Sequence, residues 1–422
     1  MISYNYSFKS GATLVASLLF FMFAAHAVSA QGLLNKGIWT GVLKLNDTTD
    51  LTFNFDVKET KGKYSSLDII NAEERIAVTE VIVNDDSVHI KMPVFDSEFK
   101  CKRISAGEIS GVWINHARKD KNVIKFTATY SKSANDEAFP SNYYFSMSGK
   151  WECEFSPETK DAYKAIGIFK QDGRSKSITG TFLTETGDYR YLQGKLNNDK
   201  TFSLSCFDGA HAFLFTGKME DNSFVRGRFY SGAAWQEPWI AIRNDQVELR
   251  NPDSLTYLKP GFTDVDFTFK NTEGHDVSIK DEKFKNKVVI VQLMGTWCPN
   301  CMDETKFLAP FYTTYKKQGL EVVALAFERT NDFNKAVSNI KRTKDRFDAN
   351  YEFLVTMKSG KDQASEALPM INGIMAFPTT IYIDKKGNVR KIYTGFNGPA
   401  TGDAYARYVE ETTRFVEKLL KE

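Results

Sequence analysis

The stretch VVIVQLMGTWCPNC, residues 288–301, decides the fold of the C-terminal part of the chain. It opens with an almost unbroken apolar run, 288–294, of the kind found in parallel strands that are buried on both faces. A helix is predicted to begin near Cys298, because the apolar residues after it share one helical face. These residues are Phe307, Leu308, Phe311, Tyr312 and Tyr315. A buried strand that turns directly into such a helix is typical of a β-α-β unit.

Strands and helices are predicted to alternate from there to the C-terminus. The second helix has Asn331 or Asp332 as its N-cap, since both side chains accept hydrogen bonds from a first helical turn. Residues 261–422 are therefore predicted to form an α/β domain, a β-α-β unit followed by a β-β-α unit. The predicted elements after the first helix are a strand at 320–327, a helix at 331–347, a hairpin of strands at 380–384 and 389–393, and a helix at 403–420.

Cys298 and Cys301 are predicted to carry the chemistry. At a helix N-terminus, unpaired backbone N–H groups and the helix dipole stabilise a thiolate, which lowers a thiol pKa from about 8.5 to roughly 3.5–7.5. We therefore expect Cys298 to be the exposed nucleophile. Cys301 lies one helical turn further on, faces inward and can attack a mixed disulfide formed on Cys298. We expect no metal, and no cofactor beyond the redox-active disulfide between these two residues.

Other uses of a Cys-x-x-Cys motif fit this chain less well. Covalent haem attachment requires histidine after the second cysteine, where Met302 stands. A structural zinc site requires a second pair of ligands at suitable spacing, which the sequence lacks. A purely structural disulfide remains an alternative, which the strand–turn–helix setting and the flanking Trp297 disfavour.

Residues 261–422 resemble the thioredoxin fold, and specifically the TlpA/ResA-like family of exported thiol–disulfide oxidoreductases. The resemblance rests on GTWCPNC at 295–301, on Glu304, and on Phe-Pro-Thr at 377–379. It implies that Pro378 is cis and lies beside the cysteine pair, and that the substrates are protein thiols and disulfides. The groove that it implies for the substrate is lined by Trp297, Pro299, Phe377 and Pro378.

Two departures from thioredoxin concern the surroundings of Cys301. Thioredoxin has a buried aspartate in the strand before the cysteines, and Gln292, which stands there, cannot accept a proton. The resemblance implies that Glu304 serves instead, the alternative being a solvated glutamate in a first helical turn. Thioredoxin also has a helix-kinking proline where this chain has Lys306. Pro310 comes a turn later, so the kink is predicted to be displaced.

An internal repeat organises the first half of the chain. Gly-Ile-Trp at 37–39 recurs as Gly-Lys-Trp at 149–151, and Phe-Asp at 95–96 recurs at 207–208, both at an offset of 112 residues. Apolar residues alternate with polar ones, as at 51–57, which predicts half-buried antiparallel strands.

The predicted fold class is therefore multidomain. An all-β N-terminal half of two related sandwich- or barrel-like modules precedes the thioredoxin-fold domain. This half also resembles N-terminal regions joined to such domains in Bacteroidetes-type proteins, a resemblance that implies no activity. The predicted boundaries are β module 1 at 31–140, β module 2 at 141–243 and a linker at 244–260.

The first thirty residues read as a secretory signal peptide. One lysine, Lys9, precedes an apolar run at 12–25 that is too short to span a bilayer comfortably. Val-Ser-Ala at 28–30 then supplies small residues for cleavage after Ala30. We expect a periplasmic protein, the alternative being an uncleaved N-terminal membrane anchor. Export places the cysteines in an oxidising compartment.

The expected function is that of an exported thiol–disulfide oxidoreductase that reduces protein disulfides and draws its electrons from a membrane donor. The alternative is an envelope binding or docking protein whose β modules bind a partner while the redox domain is auxiliary. A formal net charge of +2 gives no sign of nucleic-acid binding. The other cysteines, Cys101, Cys153 and Cys206, lie in strand patterns as small buried residues, with a Cys153–Cys206 disulfide as the alternative.

Overall fold

The computed structural model describes residues 1, 3, 34–118, 120–131, 137–140 and 145–422. The predicted signal peptide and its cleavage site lie outside the described residues, apart from positions 1 and 3. Within the described ranges, no helix combines the length and the apolar character that crossing a membrane requires.

Eight antiparallel strands close into a first barrel, because β1 pairs with both β2 and β8. Along β8 every second residue is buried, as the period-two pattern predicts. The strands are β1 (Gly37–Lys44), β2 (Asp50–Lys61), β3 (Tyr64–Asn71), β4 (Glu74–Val83), β5 (Ser87–Lys91), β6 (Ser97–Ser105), β7 (Glu108–Asn115) and β8 (Val123–Tyr130).

The next nine strands form a second barrel. It closes because β9 pairs with β10 and β17 while β10 also pairs with β11. The two-residue strand β12 pairs antiparallel with the end of β11. The strands are β9 (Gly149–Phe155), β10 (Tyr163–Gln171), β11 (Ser177–Thr184), β12 (Gly187–Asp188), β13 (Leu192–Leu196), β14 (Thr201–Phe207), β15 (Ala212–Met219), β16 (Phe224–Ser231) and β17 (Trp235–Arg243).

The two barrels open in the same way. Gly37 and Gly149 both have a φ of 113°, a conformation that suits glycine. Trp39 and Trp151 are fully buried, and each indole N–H donates at 2.9 Å to the backbone carbonyl four residues earlier. The offset of 112 residues thus joins equivalent positions, which confirms the prediction of two related β modules.

The barrels are packed against each other by apolar and polar contacts. Phe207 of the second barrel belongs to the core of the first, and its ring stacks on Phe53 with centroids 4.5 Å apart. The Asn71 side chain exchanges two hydrogen bonds with the Phe207 backbone, at 2.9 and 3.0 Å. Buried amides need such partners, so this pairing fixes the relative position of the barrels.

The C-terminal part is an α/β domain whose seven-stranded sheet has the order β19-β18-β22-β21-β20-β23-β24. The central strands β20, β21 and β22 are parallel, and β23 runs antiparallel to β20. The elements are β18 (Thr268–Asn271), β19 (Asp276–Ser278), β20 (Val288–Met294), α1 (Pro299–Tyr315), β21 (Leu320–Ala326), α2 (Phe333–Phe347), β22 (Glu352–Val355), α3 (Gly360–Ala367), β23 (Thr379–Ile383), β24 (Val389–Thr394) and α4 (Asp403–Lys421).

One edge of this sheet collects the residues that matter for chemistry. The carboxyl ends of β20 and β21 lie beside the amino end of β23, since Leu293 pairs with both Leu325 and Thr379. The loops before α1, after β21 and before β23 therefore meet. This fold confirms the predicted thioredoxin-like class.

The segment predicted as a linker packs against the C-terminal domain. Leu255 and Thr256 are buried, and the Thr394 hydroxyl donates to the Thr256 hydroxyl at 2.7 Å. Further on, Leu258 forms an isolated bridge with Ile371. These contacts order the chain between the second barrel and the first strand of the sheet.

Candidate redox site

Cys298 is the N-cap of α1, directly after the buried strand β20 and its turn. Its Sγ accepts a hydrogen bond from the Cys301 backbone N–H at 3.4 Å, and its S–H donates to the Phe377 carbonyl at 3.4 Å. The residue is only 8% exposed, so the expectation of an exposed thiol is wrong. Its low exposure follows from packing, since Cys298 belongs to a cluster of buried apolar residues. Val94 of the first barrel belongs to the same cluster.

Cys301 lies one turn deeper and is fully buried, as predicted. Burial, together with the hydrogen bond that its S–H donates to Cys298, raises the pKa of the Cys301 thiol well above its usual range. Cys298 and Cys301 are both free thiols, and so are Cys101, Cys153 and Cys206. Burial raises the pKa of Cys101 to about 12, and also that of Cys153 to about 12.

The groove residues implied by the family resemblance surround Cys298. The Phe377–Pro378 peptide bond is cis, and Pro299 is the first residue of α1. The rings of Trp297 and Phe377 meet edge to face with centroids 5.8 Å apart. The Trp297 indole N–H donates to the Phe327 carbonyl at 2.9 Å, which fixes the ring over the carboxyl end of β21.

Glu304 is fully buried, so the alternative of a solvated surface glutamate is wrong. One carboxylate oxygen accepts hydrogen bonds from the hydroxyls of Thr380 at 2.6 Å and Tyr408 at 3.4 Å. The other accepts from the Gln292 amide at 2.9 Å, and the same amide lies 3.5 Å from the Cys301 carbonyl oxygen. Burial outweighs these three donors and raises the pKa of Glu304 to about 7.

Two residues of the site, Glu328 and Arg329, were not predicted. The buried Glu328 carboxylate accepts the backbone N–H and the hydroxyl of Thr296, both at 2.7 Å, and so holds the turn before Cys298. The Arg329 guanidinium lies 3.7 Å from the Trp297 ring centroid. A signal was available, since both residues follow the second parallel strand, and the carboxyl ends of parallel strands share one edge.

The second barrel also reaches this site, through Asp188 and Arg190. The Asn300 side-chain amide donates to the Asp188 carbonyl at 3.2 Å, and Arg190 donates to the Pro299 carbonyl at 3.3 Å. Both residues between the two cysteines are thus bound by the barrel. Arg190 also pairs with Asp303 of α1. No motif marks Asp188 or Arg190 in the sequence.

A cysteine pair at the N-terminus of a helix, with a cis-proline beside it on a mixed sheet, defines the class of thioredoxin-fold thiol–disulfide oxidoreductases. Residues 260–407 match the Redoxin family model. Over 140 residues the chain is 30% identical to thiol-disulfide oxidoreductase ResA of Geobacillus thermodenitrificans (strain NG80-2), covering 33% of this chain and 72% of that protein. ResA of Bacillus subtilis (strain 168) is 28% identical over 138 residues, covering 33% and 69%. The chain belongs to the ResA family of thiol–disulfide oxidoreductases.

Solved structures with similarity include a putative thiol:disulfide interchange protein DsbE from Chlorobium tepidum, at 18% identity and a TM-score of 0.28. The alignment covers 36% of this chain and 98% of the Chlorobium tepidum chain. A putative protein disulfide isomerase from Bacteroides thetaiotaomicron has 18% identity and a TM-score of 0.30. That alignment covers 40% of this chain and 93% of the other.

Proposed function

We propose that the chain is an exported thiol–disulfide oxidoreductase that reduces disulfides of protein substrates through Cys298 and Cys301. The observation that carries this proposal is the arrangement of the pair. Cys298 caps a helix with its sulfur beside the groove residues Trp297 and Phe377, while Cys301 is buried one turn behind it. Family membership supports the reaction class.

The reaction proceeds in two exchange steps. The Cys298 thiolate attacks one sulfur of the substrate disulfide, whose S–S bond breaks, and the departing sulfur leaves as a thiolate that takes up a proton. A mixed disulfide with Cys298 remains. Cys301 then loses its proton and attacks the Cys298 sulfur, which releases the second substrate thiolate. The two electrons that reduce the substrate come from the dithiol, which ends as the Cys298–Cys301 disulfide.

Glu304 supplies the base for the second step. The raised pKa of Cys301 means that its thiol has to be deprotonated before it attacks. Glu304, three residues further along the same helix, has a pKa of about 7, which suits proton exchange near neutral pH. The adjacent Gln292 positions the carboxylate and cannot itself accept the proton.

Export and re-reduction complete the proposal. Cleavage after Ala30 would release a periplasmic protein starting at Gln31, the alternative being an uncleaved N-terminal anchor. A reductant in an oxidising compartment has to be re-reduced, which calls for a membrane electron donor. N-terminal sequencing of protein recovered from the periplasmic fraction tests this part. A first residue of Gln31 supports it, and an intact N-terminus in the membrane fraction overturns it.

Trapping tests the chemistry. A Cys301→Ser variant lacks the resolving thiol, so mixed disulfides with substrate proteins should accumulate on Cys298 and disappear on reduction. Cys153→Ser, which removes a buried thiol of the second barrel, is the matched control and should trap nothing. Adducts on Cys301 in a Cys298→Ser variant, with none on Cys298 in Cys301→Ser, would reverse the assignment. No adducts in either variant would overturn the proposed function.

A further inference from the structure

The segment Gly187–Arg190 of the second barrel binds Pro299 and Asn300, the two residues between the cysteines. The Asp188 carbonyl accepts the Asn300 amide at 3.2 Å, and the Arg190 guanidinium donates to the Pro299 carbonyl at 3.3 Å. The Asp188 side chain adds a bond at 2.6 Å from the backbone N–H of Gly398, in the loop before α4. The first turn of α1 is thus held from outside its own domain.

The approach at Gly187 is closer than any side chain would permit. A Cβ atom there would lie 2.3 Å from the Asn300 side-chain nitrogen, and Gly187 has a φ of 136°, which suits glycine. Gly173, in another turn of the same barrel, also has a positive φ of 52° but has no atom within 4 Å of such a Cβ. The two glycines differ in this contact with Asn300.

Arg190 brings a buried positive charge to the same turn. It is 6% exposed, and its guanidinium pairs with Glu74 of the first barrel at 2.6 Å, with Asp208 of the second at 3.4 Å, and with Asp303 of α1. A guanidinium suits this role because it stays protonated and has five N–H donors. Without it, the buried Asp208 and the half-buried Glu74 and Asp303 would lose this counter-charge.

We infer that Arg190 is a positioning residue of the redox site, through which the second barrel sets the balance between the dithiol and disulfide forms. The inference rests on the proposed function of Cys298 and Cys301. Arg190 holds the Pro299 carbonyl and offsets the negative charge of Glu74, Asp208 and Asp303. This favours the reduced form of the pair, because a dithiol can carry negative charge and a disulfide cannot. Loss of Arg190 makes this region more negative and shifts the pair towards the disulfide.

Equilibration with glutathione tests this role, with the disulfide quantified by differential alkylation and mass spectrometry. For Arg190→Gln we expect the equilibrium to move about tenfold towards the disulfide, which corresponds to about 30 mV for this two-electron couple. Gly187→Ala, which pushes the segment off Asn300, should move it in the same direction by a few-fold. Gly173→Ala should match the wild type, because a φ of 52° is accessible to alanine and the added Cβ meets no atom within 4 Å.

The outcomes separate this inference from the proposed function. A wild-type chain that forms no Cys298–Cys301 disulfide at any glutathione ratio would overturn the proposed function. A wild type that titrates, with Arg190→Gln and Gly187→Ala superimposed on it, would overturn the positioning role alone. If Arg190→Gln does not fold, the comparison of Gly187→Ala with Gly173→Ala decides, and equal equilibria in those two variants would refute the inference.

Discussion

The raised pKa of Glu304 follows from the position of this residue in the fold. It lies three residues after Cys301 on α1, and it is fully buried. Three donors, Thr380, Gln292 and Tyr408, hold the group in place, but burial still dominates its proton affinity and raises its pKa to about 7. With a pKa of about 7, the Glu304 carboxyl group can therefore exchange a proton near neutral pH.

This shift predicts a pH-dependent stability difference between wild type and Glu304→Gln. The folded pKa of about 7 lies above the reference value of 4.5, so the folded state binds the proton more tightly. The group therefore weakens folding progressively as the pH rises from 4.5 to 7. Relative to wild type, Glu304→Gln should gain about 3 kcal/mol in unfolding free energy over this window. Urea unfolding at pH 4.5 and pH 8 measures it, and a pH-independent difference would contradict it.

The same substitution should slow the second exchange step. Glu304→Gln leaves a polar group of similar shape but cannot accept the Cys301 proton, so decay of a mixed disulfide on Cys298 should slow by about 10²-fold at neutral pH. Stopped-flow measurement with a fluorescent mixed disulfide follows this decay. Glu366→Gln, which changes an exposed glutamate of α3, is the control. Wild-type rates across pH 6–9 would leave Glu304 with a structural role only.

Individual residues differ in how far the sequence predicts them. Cys298 and Cys301 are predictable because their spacing of one helical turn has few other uses. The burial of Glu304 was not predictable, since the same position on a helix can face solvent. Arg190 and Asp188 act on residues more than 100 positions away in sequence, and no local pattern records such a contact.

Strands and helices are predictable where their apolar pattern repeats over enough residues to be recognised. The buried run of β20 and the alternation along β8 have the burial patterns that their sequences predict. The four-residue strand β22 and the eight-residue helix α3 were not predicted, because segments this short have no distinct period. Pro310 lies inside α1, one turn after the position at which thioredoxin has its proline.

The start of α2 provides a test of local sequence reasoning. Asp332 is the N-cap, and its carboxylate accepts the backbone N–H groups of Asn334 at 2.9 Å and Lys335 at 3.2 Å. Asp332→Ala should therefore lower the unfolding free energy by about 1 kcal/mol. Asp345→Ala, in the last turn of the same helix, removes an acid from the negative end of the helix dipole and should be neutral or slightly stabilising. Equal losses in both variants would contradict the capping role.

The described residues between 34 and 422 belong to one compact unit. Besides the contacts of Arg190, Lys335 of α2 pairs with Asp96 of the first barrel at 3.1 Å, and the Arg346 side chain donates to the Ala77 carbonyl at 3.4 Å. The sequence predicts separate modules with boundaries at 140, 243 and 260, and these boundaries stay a prediction. It could not predict this docking, because polar interdomain contacts carry no repeating pattern.

Docking of this kind predicts that the barrels and the C-terminal domain unfold together. Four buried thiols report on the three parts: Cys101 in the first barrel, Cys153 and Cys206 in the second, and Cys301 in the C-terminal domain. In a urea series with pulsed alkylation under reducing conditions, all four should become reactive at one midpoint. Arg190→Gln should separate the Cys301 midpoint from the others. A separate Cys301 midpoint already in the wild type would mean that the docking contributes little to stability.

Redox titration of the full chain against glutathione, read at Cys298 and Cys301 by differential alkylation and mass spectrometry, tests the central claim most directly. The buried Cys301 and the partly protonated Glu304 disfavour a second thiolate, which favours the disulfide and makes the dithiol a reductant. We predict a midpoint nearer the ~−270 mV of thioredoxin than the ~−120 mV of DsbA. A midpoint above about −180 mV, in the range of protein disulfide isomerase, or the lack of any Cys298–Cys301 disulfide, would contradict the account.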